Sequence, residues 1–224
     1  MIPWETLDSV KVEGGVELRL IRRDKEYCIM AGQIPLMNSR MSGSEEALSA
    51  LPFERLGHRP QAHWLIGGLG MGFTLRAALA LLPPTARITV AELVPAVVKW
   101  ARGPMAEIFA GCLEDPRVTI VETDVARLLR GCQPMYDAIL LDVDNGPDGL
   151  TREGNGGLYT PTGLKTARTV LRPGGILAVW SSAPDAEFTK RLARGGFAVE
   201  EAKVRERGKR GGARHTIWLA SKPG

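Results

Sequence analysis

The chain has 224 residues, of which 44% are hydrophobic and 24% are charged, and its formal net charge at pH 7 is +4. This composition is typical of a soluble globular protein with one domain of moderate size. It argues against a membrane protein, because no run approaches the roughly 20 apolar residues that a membrane span needs. The opening segment MIPWETLDSV has neither a basic nor an apolar region, so we expect no export signal.

The spacing of cysteine and histidine predicts no metal site. Cys28, Cys112 and Cys132 are widely separated, none belongs to a C-x-x-C pair, and the three histidines are scattered. We interpret the cysteines as free thiols of a cytoplasmic protein. The basic stretch at 203–214 has no aromatic residue between its charges, which argues against a nucleic-acid partner. We interpret it as a solvated hairpin turn; a contact surface for a partner, or a loop over the ligand cleft that binds an acidic substrate, are the alternatives.

Two alternating segments near the N-terminus predict a small β-hairpin. They are VELRLIRR at 16–23 and EYCIMAG at 26–32, joined by a polar turn at residues 24 and 25. We therefore assign residues 1–41 to a small hairpin appendage and residues 42–224 to the main domain.

A helix is predicted over residues 42–56, between this hairpin and the main sheet. Ser42 stands three residues before Glu45, which is the capping-box spacing, and Leu48 and Leu51 contribute to an apolar face.

Strands and helices alternate from residue 64 onward. The predicted strands are 64–66, 87–91, 118–121, 136–141, 176–180, 198–204 and 216–220, and the predicted helices are 74–82, 95–109, 125–129, 161–171 and 186–194. Gly103 and Pro104 are expected to kink or divide the second of these helices. The alternation implies a mostly parallel sheet with helices on both faces, closed by a C-terminal antiparallel hairpin.

Four glycines follow the first of these strands within six residues: Gly67, Gly68, Gly70 and Gly72. Glycine permits positive φ and close approach of the backbone to a ligand, and the N-terminus of the helix that follows presents unpaired N–H groups. A strand, a glycine turn and a helix in this order predict a nucleotide site.

Three acidic residues stand at the ends of the next strands: Glu92, Asp124 and Asp142. In sheets of this kind, ligands bind beyond the carboxyl ends of the strands, at the switch in strand order. The shared placement favours a role in ligand binding. An acid at a strand end can also cap the next helix, and Asp124 is placed to do so for residues 125–129.

The segments IGGLGMGFTLR, VAELVP, DPRVTIVETDVARLL, YDAILLDVDNGP and LRPGGILAVW resemble the spermidine synthase family of aminopropyltransferases. More broadly, they are similar to the class I S-adenosylmethionine-dependent methyltransferase fold. The resemblance runs from about residue 32 to residue 180. It implies a Rossmann-like α/β fold with a mostly parallel seven-stranded sheet, and it leaves a homodimer open because relatives commonly form dimers.

The resemblance also implies which residues bind a donor of the S-adenosylmethionine type. They are Gly67, Gly68, Gly70, Gly72, Glu92, Leu93, Asp124, Val125 and Asp142. Glu92 would accept the ribose hydroxyls, Asp124 would bind the adenine amino group, and Val125 would lie beside the ring. Asp142 would be the first Asp of the family's D-x-x-D loop, close to the transferred group.

The half of the site that binds a diamine departs from the family pattern. Met71 stands where synthases have an Asp in the glycine loop, and Asn145 stands at the second acid of the D-x-x-D loop. Ser44 replaces a Tyr, and Pro35 replaces a Gln. A diamine needs anions to hold its distal ammonium and a base to free the attacking nitrogen.

We therefore expect methyl transfer from S-adenosylmethionine to a small-molecule acceptor. The alternatives are aminopropyl transfer from decarboxylated S-adenosylmethionine and a nucleotide-binding module without catalysis. Asp142 or Asp144 is the candidate catalytic base, and Glu46, Asn145 and Tyr159 are candidate contacts to the acceptor.

Overall fold

The computed structural model describes residues 2–12, 15–130, 133–143, 156–208 and 211–224, and its strands form two sheets. The smaller sheet is N-terminal and antiparallel throughout. Its strands, in spatial and chain order, are β1 (Glu5–Lys11), β2 (Glu17–Arg23), β3 (Glu26–Ala31) and β4 (Ile34–Asn38).

The predicted hairpin is present as β2 and β3, with Asp24 at a φ of +56° in the turn. Strands β1 and β4 were not predicted from the sequence. Strand β1 is largely exposed and lacks a clear apolar alternation. Strand β4 contains Pro35, which donates no hydrogen bond to a sheet and coincides with a shift in the register between β3 and β4.

The larger sheet has seven strands in the spatial order β10-β11-β9-β8-β5-β6-β7. They are β5 (His63–Gly67), β6 (Arg87–Glu92), β7 (Val118–Glu122), β8 (Tyr136–Leu141), β9 (Leu171–Ser181), β10 (Ala198–Arg205) and β11 (Arg214–Ser221). Neighbouring strands from β9 to β7 are parallel, whereas β11 is antiparallel to both β9 and β10. This confirms the predicted mostly parallel sheet and its closing hairpin.

The helices largely follow the predicted order. They are α1 (Gly43–Leu56), α2 (Phe73–Leu81), α3 (Pro95–Arg102), α4 (Ala106–Phe109), α5 (Val125–Leu129), α6 (Gly156–Tyr159), α7 (Pro161–Val170) and α8 (Ala186–Arg194). The division between α3 and α4 falls at the predicted Gly103-Pro104 pair. The short α6 was not predicted, and β9 begins at Leu171 rather than after the glycine turn at residues 174 and 175.

Strand residues alternate between two apolar cores, one on each face of the larger sheet. In β8, for example, Ala138 and Leu140 belong to one core while Ile139 and Leu141 belong to the other. Helices α5, α7 and α8 cover the second face. Helices α1 to α3 cover the first face, and the N-terminal sheet adds Leu18, Leu20 and Ile29, among others, to the same core.

The N-terminal sheet is therefore packed on the main sheet and shares its core. It is also tied to α3, since the indole N–H of Trp100 donates to the Asp8 carboxylate over 2.8 Å. The division of the chain at residue 41 stays a prediction.

Within the described part of the chain, no helix has both the length and the apolar character to cross a membrane. Cys28 and Cys112 are buried free thiols, and burial raises the pKa of both. Cys132 lies outside the described residues.

Candidate functional site

A cavity of about 410 Å³ opens at the carboxyl ends of the central strands. Strand β5 is flanked there by β6 on one side and by β8 on the other, so the strand order changes direction beside it. The strand-end segments of β5, β6, β7 and β8 all contribute to the lining. This is the place where open α/β sheets bind ligands.

The glycine turn forms the floor of the cavity. Two of its positions require glycine, because φ is positive there and a Cβ would collide with neighbouring atoms. Gly68 has a φ of +92°, and a Cβ there would lie 2.4 Å from the Asp142 carbonyl oxygen. Gly70 has a φ of +51° and lies directly under the Met37 side chain. Gly68 and Gly70 line the cavity, whereas Gly67 packs against Val125 and Gly72 begins α2 behind the loop.

Glu92 ends β6 and its carboxylate holds the glycine turn in place. The backbone N–H of Leu69 donates to Oε2 over 2.9 Å, and that of Val94 donates to Oε1 over 2.8 Å. Burial raises the pKa of the Glu92 carboxyl, and these N–H donors oppose the effect. Since a carboxylate oxygen has two lone pairs, each oxygen can accept one further hydrogen bond from a ligand hydroxyl.

Asp124 serves the capping role that the sequence left open, and it also lines the cavity. Its Oδ1 accepts from the backbone N–H of Ala126 over 2.7 Å at the start of α5. Val125 is buried beside it, and Leu93, which also lines the cavity, is 36% exposed. The apolar side chains of Leu93 and Val125 can pack against a flat ring, and the Asp124 carboxylate can accept a hydrogen bond from a polar group at its edge.

Asp142 follows β8 and lies in the same cavity as Glu45 of α1. The Thr74 hydroxyl donates to its Oδ2 over 2.8 Å. Burial raises the pKa of Asp142 to about 6. Burial, with a further contribution from the Asp142 charge, raises the pKa of Glu45 to about 7. Both carboxyls can therefore exchange a proton near neutral pH.

Glu45, and not the predicted Glu46, faces the cavity. Glu46 is exposed, and its carboxylate accepts from the Ser42 hydroxyl over 2.8 Å. Adjacent residues of a helix point about 100° apart, so only one of the two can face the cavity. The predicted capping box is also absent: the Ser42 side chain caps no backbone N–H, and Glu45 accepts instead from the Ser44 hydroxyl.

Tyr159, a predicted acceptor contact, does not line the cavity. It is 3% exposed and packs edge-on against Phe188, with ring centroids 5.5 Å apart, in the core on the other face. The reason is that α6 continues into the layer formed by α7 and α8. Asp144 and Asn145 lie outside the described residues.

The closing hairpin contributes two site residues that the sequence analysis missed, Glu206 and His215. The His215 ring packs edge-on against Trp180, with centroids 4.8 Å apart, and its Nδ1 lies 2.9 Å from the Ser44 hydroxyl oxygen. The sequence did contain a signal for the placement of His215. The histidine lies two residues before the apolar Ile217 in β11, so both side chains lie on the same face of the sheet.

The described Lys and Arg side chains of the basic stretch point outward. Lys203, Arg205 and Arg207 are exposed, while Glu206 is partly buried and faces the cavity; Lys209 and Arg210 lie outside the described residues. The hairpin does reach the cleft, since the backbone N–H of Gly43 in α1 donates to the Glu206 carbonyl over 2.8 Å. The side chain that it turns inward is acidic, which argues against the alternative of a basic loop that binds an acidic substrate.

The N-terminal sheet forms an apolar wall of the cavity. The wall residues from this sheet and its turns include Val12, Val16, Leu18, Ile29, Ala31 and Leu36. Met71, at the position of the Asp in synthases, is 1% exposed and lines a small adjoining recess together with Glu45 and Asp142. In this recess the negative charge is therefore contributed by α1 and the end of β8, not by the glycine turn.

The charged lining of the cavity is acidic. Its five carboxyl side chains are Glu45, Glu92, Asp124, Asp142 and Glu206. Among the described residues, no Lys or Arg lines it. Nor does the described part of the chain contain a cluster of three or more His, Cys, Asp or Glu residues that could hold a metal ion. The cavity is thus suited to an organic cation.

Proteins of similar sequence include polyamine aminopropyltransferases from an archaeon and a bacterium. The polyamine aminopropyltransferase of Korarchaeum cryptofilum is 30% identical over 122 residues, which cover 54% of this chain and 36% of the relative. Polyamine aminopropyltransferase 1 of Streptomyces coelicolor is 33% identical over 127 residues, which cover 56% of this chain and 23% of the relative. The chain thus matches well under half the length of either relative.

Solved structures extend the likeness to nearly the whole fold. Spermidine synthase from Thermotoga maritima superimposes with a TM-score of 0.77 at 19% identity, over 97% of this chain and 72% of that one. A spermidine synthase in complex with the transition-state analogue AdoDATO gives a TM-score of 0.76 at 20% identity, with the same coverage. The profile of the spermine/spermidine synthase domain matches residues 43–192. Since that match covers more than half of the chain, the protein belongs to the spermine/spermidine synthase family.

Proposed function

We propose that this chain transfers an aminopropyl group from decarboxylated S-adenosylmethionine to an amine. The observation that supports this most directly is the acidic cavity, whose described lining has five carboxyl side chains and no Lys or Arg. The decarboxylated donor and a protonated amine are cations, which such a lining attracts. The carboxylate of S-adenosylmethionine would enter the same cavity without a basic partner among the described lining residues, which is costly in a partly buried site.

The donor would lie along the glycine turn. Glu92 has the spare acceptor capacity to bind two ribose hydroxyls, and Leu93 and Val125 would enclose the adenine ring. Asp142 would lie beside the carbon that is transferred.

The chemistry would be a single displacement. A protonated acceptor amine gives a proton to a carboxylate, and its lone pair forms a new C–N bond as the C–S bond breaks. The bonding electrons return to sulfur, which becomes a neutral thioether, and one proton is released overall. Asp142 and Glu45 are suited to accept that proton because burial raises their pKa toward the working pH.

Methyl transfer, which the sequence analysis favoured, has less support. The family match and the relatives named above fit aminopropyl transfer better. Glu45 also bears on this choice, because it supplies a carboxylate to the recess where Met71 has replaced an acid. The carboxylate of Glu45 in α1 thus compensates for the acidic residue that the glycine turn lacks.

Titration calorimetry with the two donors and methylthioadenosine tests the proposal. We expect the decarboxylated donor to bind at least about tenfold more tightly than S-adenosylmethionine, a difference of about 1.4 kcal/mol. Transfer to putrescine and to a panel of other amines would then be followed by mass spectrometry. Preference for S-adenosylmethionine would favour methyl transfer, and donor binding without transfer to any amine would favour a non-catalytic module.

Asp142→Asn separates binding from chemistry. We expect it to keep donor binding and to lower turnover by about 100-fold or more, the usual scale for loss of a general base. Asp185→Asn is the matched control, because Asp185 caps α8 without lining the cavity and Asn caps equally well. Full turnover of Asp142→Asn would remove Asp142 from the mechanism.

A further inference from the structure

Three side chains next to the cavity form a continuous hydrogen-bonded row. The Ser44 hydroxyl donates to Glu45 Oε2 over 2.7 Å, and His215 Nδ1 lies 2.9 Å from the same hydroxyl oxygen. Ser44 and Glu45 are adjacent in α1, whereas His215 comes from β11, 171 residues away from Ser44. Ser44 is 0% exposed, so its hydroxyl joins the two titratable groups without competition from solvent.

The surroundings hold the histidine in this position. The edge-on contact with Trp180 restricts the ring, and both Glu45 and His215 face the cavity while Ser44 lies behind them. The charged neighbours are Asp142, which faces Glu45, and Glu206, which acts on both Glu45 and His215. Burial lowers the pKa of His215, against the opposing charge of Glu206, so the ring is neutral and able to accept a proton near neutral pH.

We propose that Ser44 and His215 form a relay that removes the proton which Glu45 takes from the acceptor amine. This inference rests on the proposed function and adds to it the route by which the released proton leaves the cavity. Ser44 and His215 act only through Glu45; they position its carboxyl and return it to the charged form.

The relay balances proton by proton. Glu45 accepts a proton from the protonated amine, which frees the nitrogen lone pair for attack. Protonated Glu45 then donates to the Ser44 oxygen while the Ser44 hydrogen passes to His215 Nδ1. Glu45 is again a carboxylate, and Ser44 is again a neutral hydroxyl that donates to it. The imidazolium loses its Nε2 proton to water, and exchange with water then moves the remaining ring proton from Nδ1 to Nε2, so that Nδ1 can accept again in the next turnover.

Kinetics of His215→Gln and Ser44→Ala test the relay. We expect kcat to fall about 10- to 100-fold in each, within the usual range for acid–base groups, while KM for the donor changes less than about twofold. In the wild-type chain, protonation of His215 should contribute to the fall in kcat at low pH. In His215→Gln this contribution should be absent from the pH profile of kcat. His58→Gln is the matched control, because His58 is exposed and does not line the cavity.

Rescue separates a relay from a structural hydrogen bond. Added imidazoles should restore turnover of His215→Ala, and the rate should vary with the pKa of the imidazole used. Restoration that is independent of that pKa, or unchanged kcat in both His215→Gln and Ser44→Ala, would overturn the relay.

NMR titration of the His215 ring needs no turnover and so tests the relay independently of the proposed function. Glu45→Gln should lower the pKa of His215, and this effect should be largely lost in the Ser44→Ala background. An equal effect with and without the Ser44 hydroxyl would overturn the relay. Absence of transfer by the wild-type chain to every amine would instead defeat the proposed function, and the titration would still decide whether the three groups are coupled.

Discussion

Gly68→Ala tests whether the glycine turn must touch the end of β8. A Cβ at residue 68 would lie 2.4 Å from the Asp142 carbonyl oxygen, about 1 Å inside the 3.4 Å at which ordinary contact begins. The φ of +92° adds backbone strain, which for an L residue is roughly 1–2 kcal/mol. The backbone and side-chain shifts needed to fit the extra methyl group cost about 1–3 kcal/mol more. We therefore expect the free energy of unfolding to fall by about 2–5 kcal/mol, or about 4–20 °C in Tm.

A second glycine separates strain from contact. Gly111 has a φ of +77°, but a Cβ there would meet nothing within 4 Å, so Gly111→Ala should show the strain alone. Urea unfolding and thermal melts of both variants give the stability difference, and calorimetry gives donor affinity. Gly68→Ala should also weaken donor binding, because the turn must move away from Asp142. Equal destabilisation and equal affinity in the two variants would refute the close contact as the reason for glycine.

Two further predictions concern charge. Burial raises the pKa of Glu45 to about 7, above its ordinary 4.5, so ionisation of Glu45 destabilises the native state as the pH rises. Glu45→Gln should therefore raise Tm at pH 8, with the charge-dependent gain vanishing near about pH 4, and a gain that is independent of pH would contradict this. Arg205→Ser with Arg207→Ser should alter Tm by no more than about 2 °C and leave donor affinity unchanged, since both are exposed; weaker binding would instead point to a direct role of the hairpin charges.

The part of the site that lies within one strand and its following turn was predictable from the sequence. Gly68 and Gly70 stand in a strand–turn–helix pattern, and Glu92 follows the next strand. Parallel strands bring these ends together whatever the details of packing, so the cavity was expected where the structure has it. Asp142 was found by the same reasoning.

The residues that were missed come together only through tertiary structure. Glu46 was predicted because it matches a Glu of the family's pre-domain helix, but the structure turns the adjacent Glu45 toward the cavity instead. His215 looked isolated because Ser44 and Trp180, which it contacts, are far from it in the chain. The alternation of β11 could have indicated its side of the sheet but not its partners. Strands β1 and β4 were missed because exposure and Pro35 weaken the alternation that identifies strands.

The position of β11 has a consequence for how this chain assembles. This strand follows all the others along the chain, yet it lies between β9 and β10 in the sheet. Until it is synthesised, β10 has no partner and one edge of β9 is open, which is the kind of exposed edge that recruits other chains. During synthesis, this end of the sheet is therefore closed by insertion of β11 into the gap between β9 and β10. Because His215 is on that strand, the cavity is completed only when the insertion occurs, and incomplete chains would be prone to aggregate rather than to form part of the site.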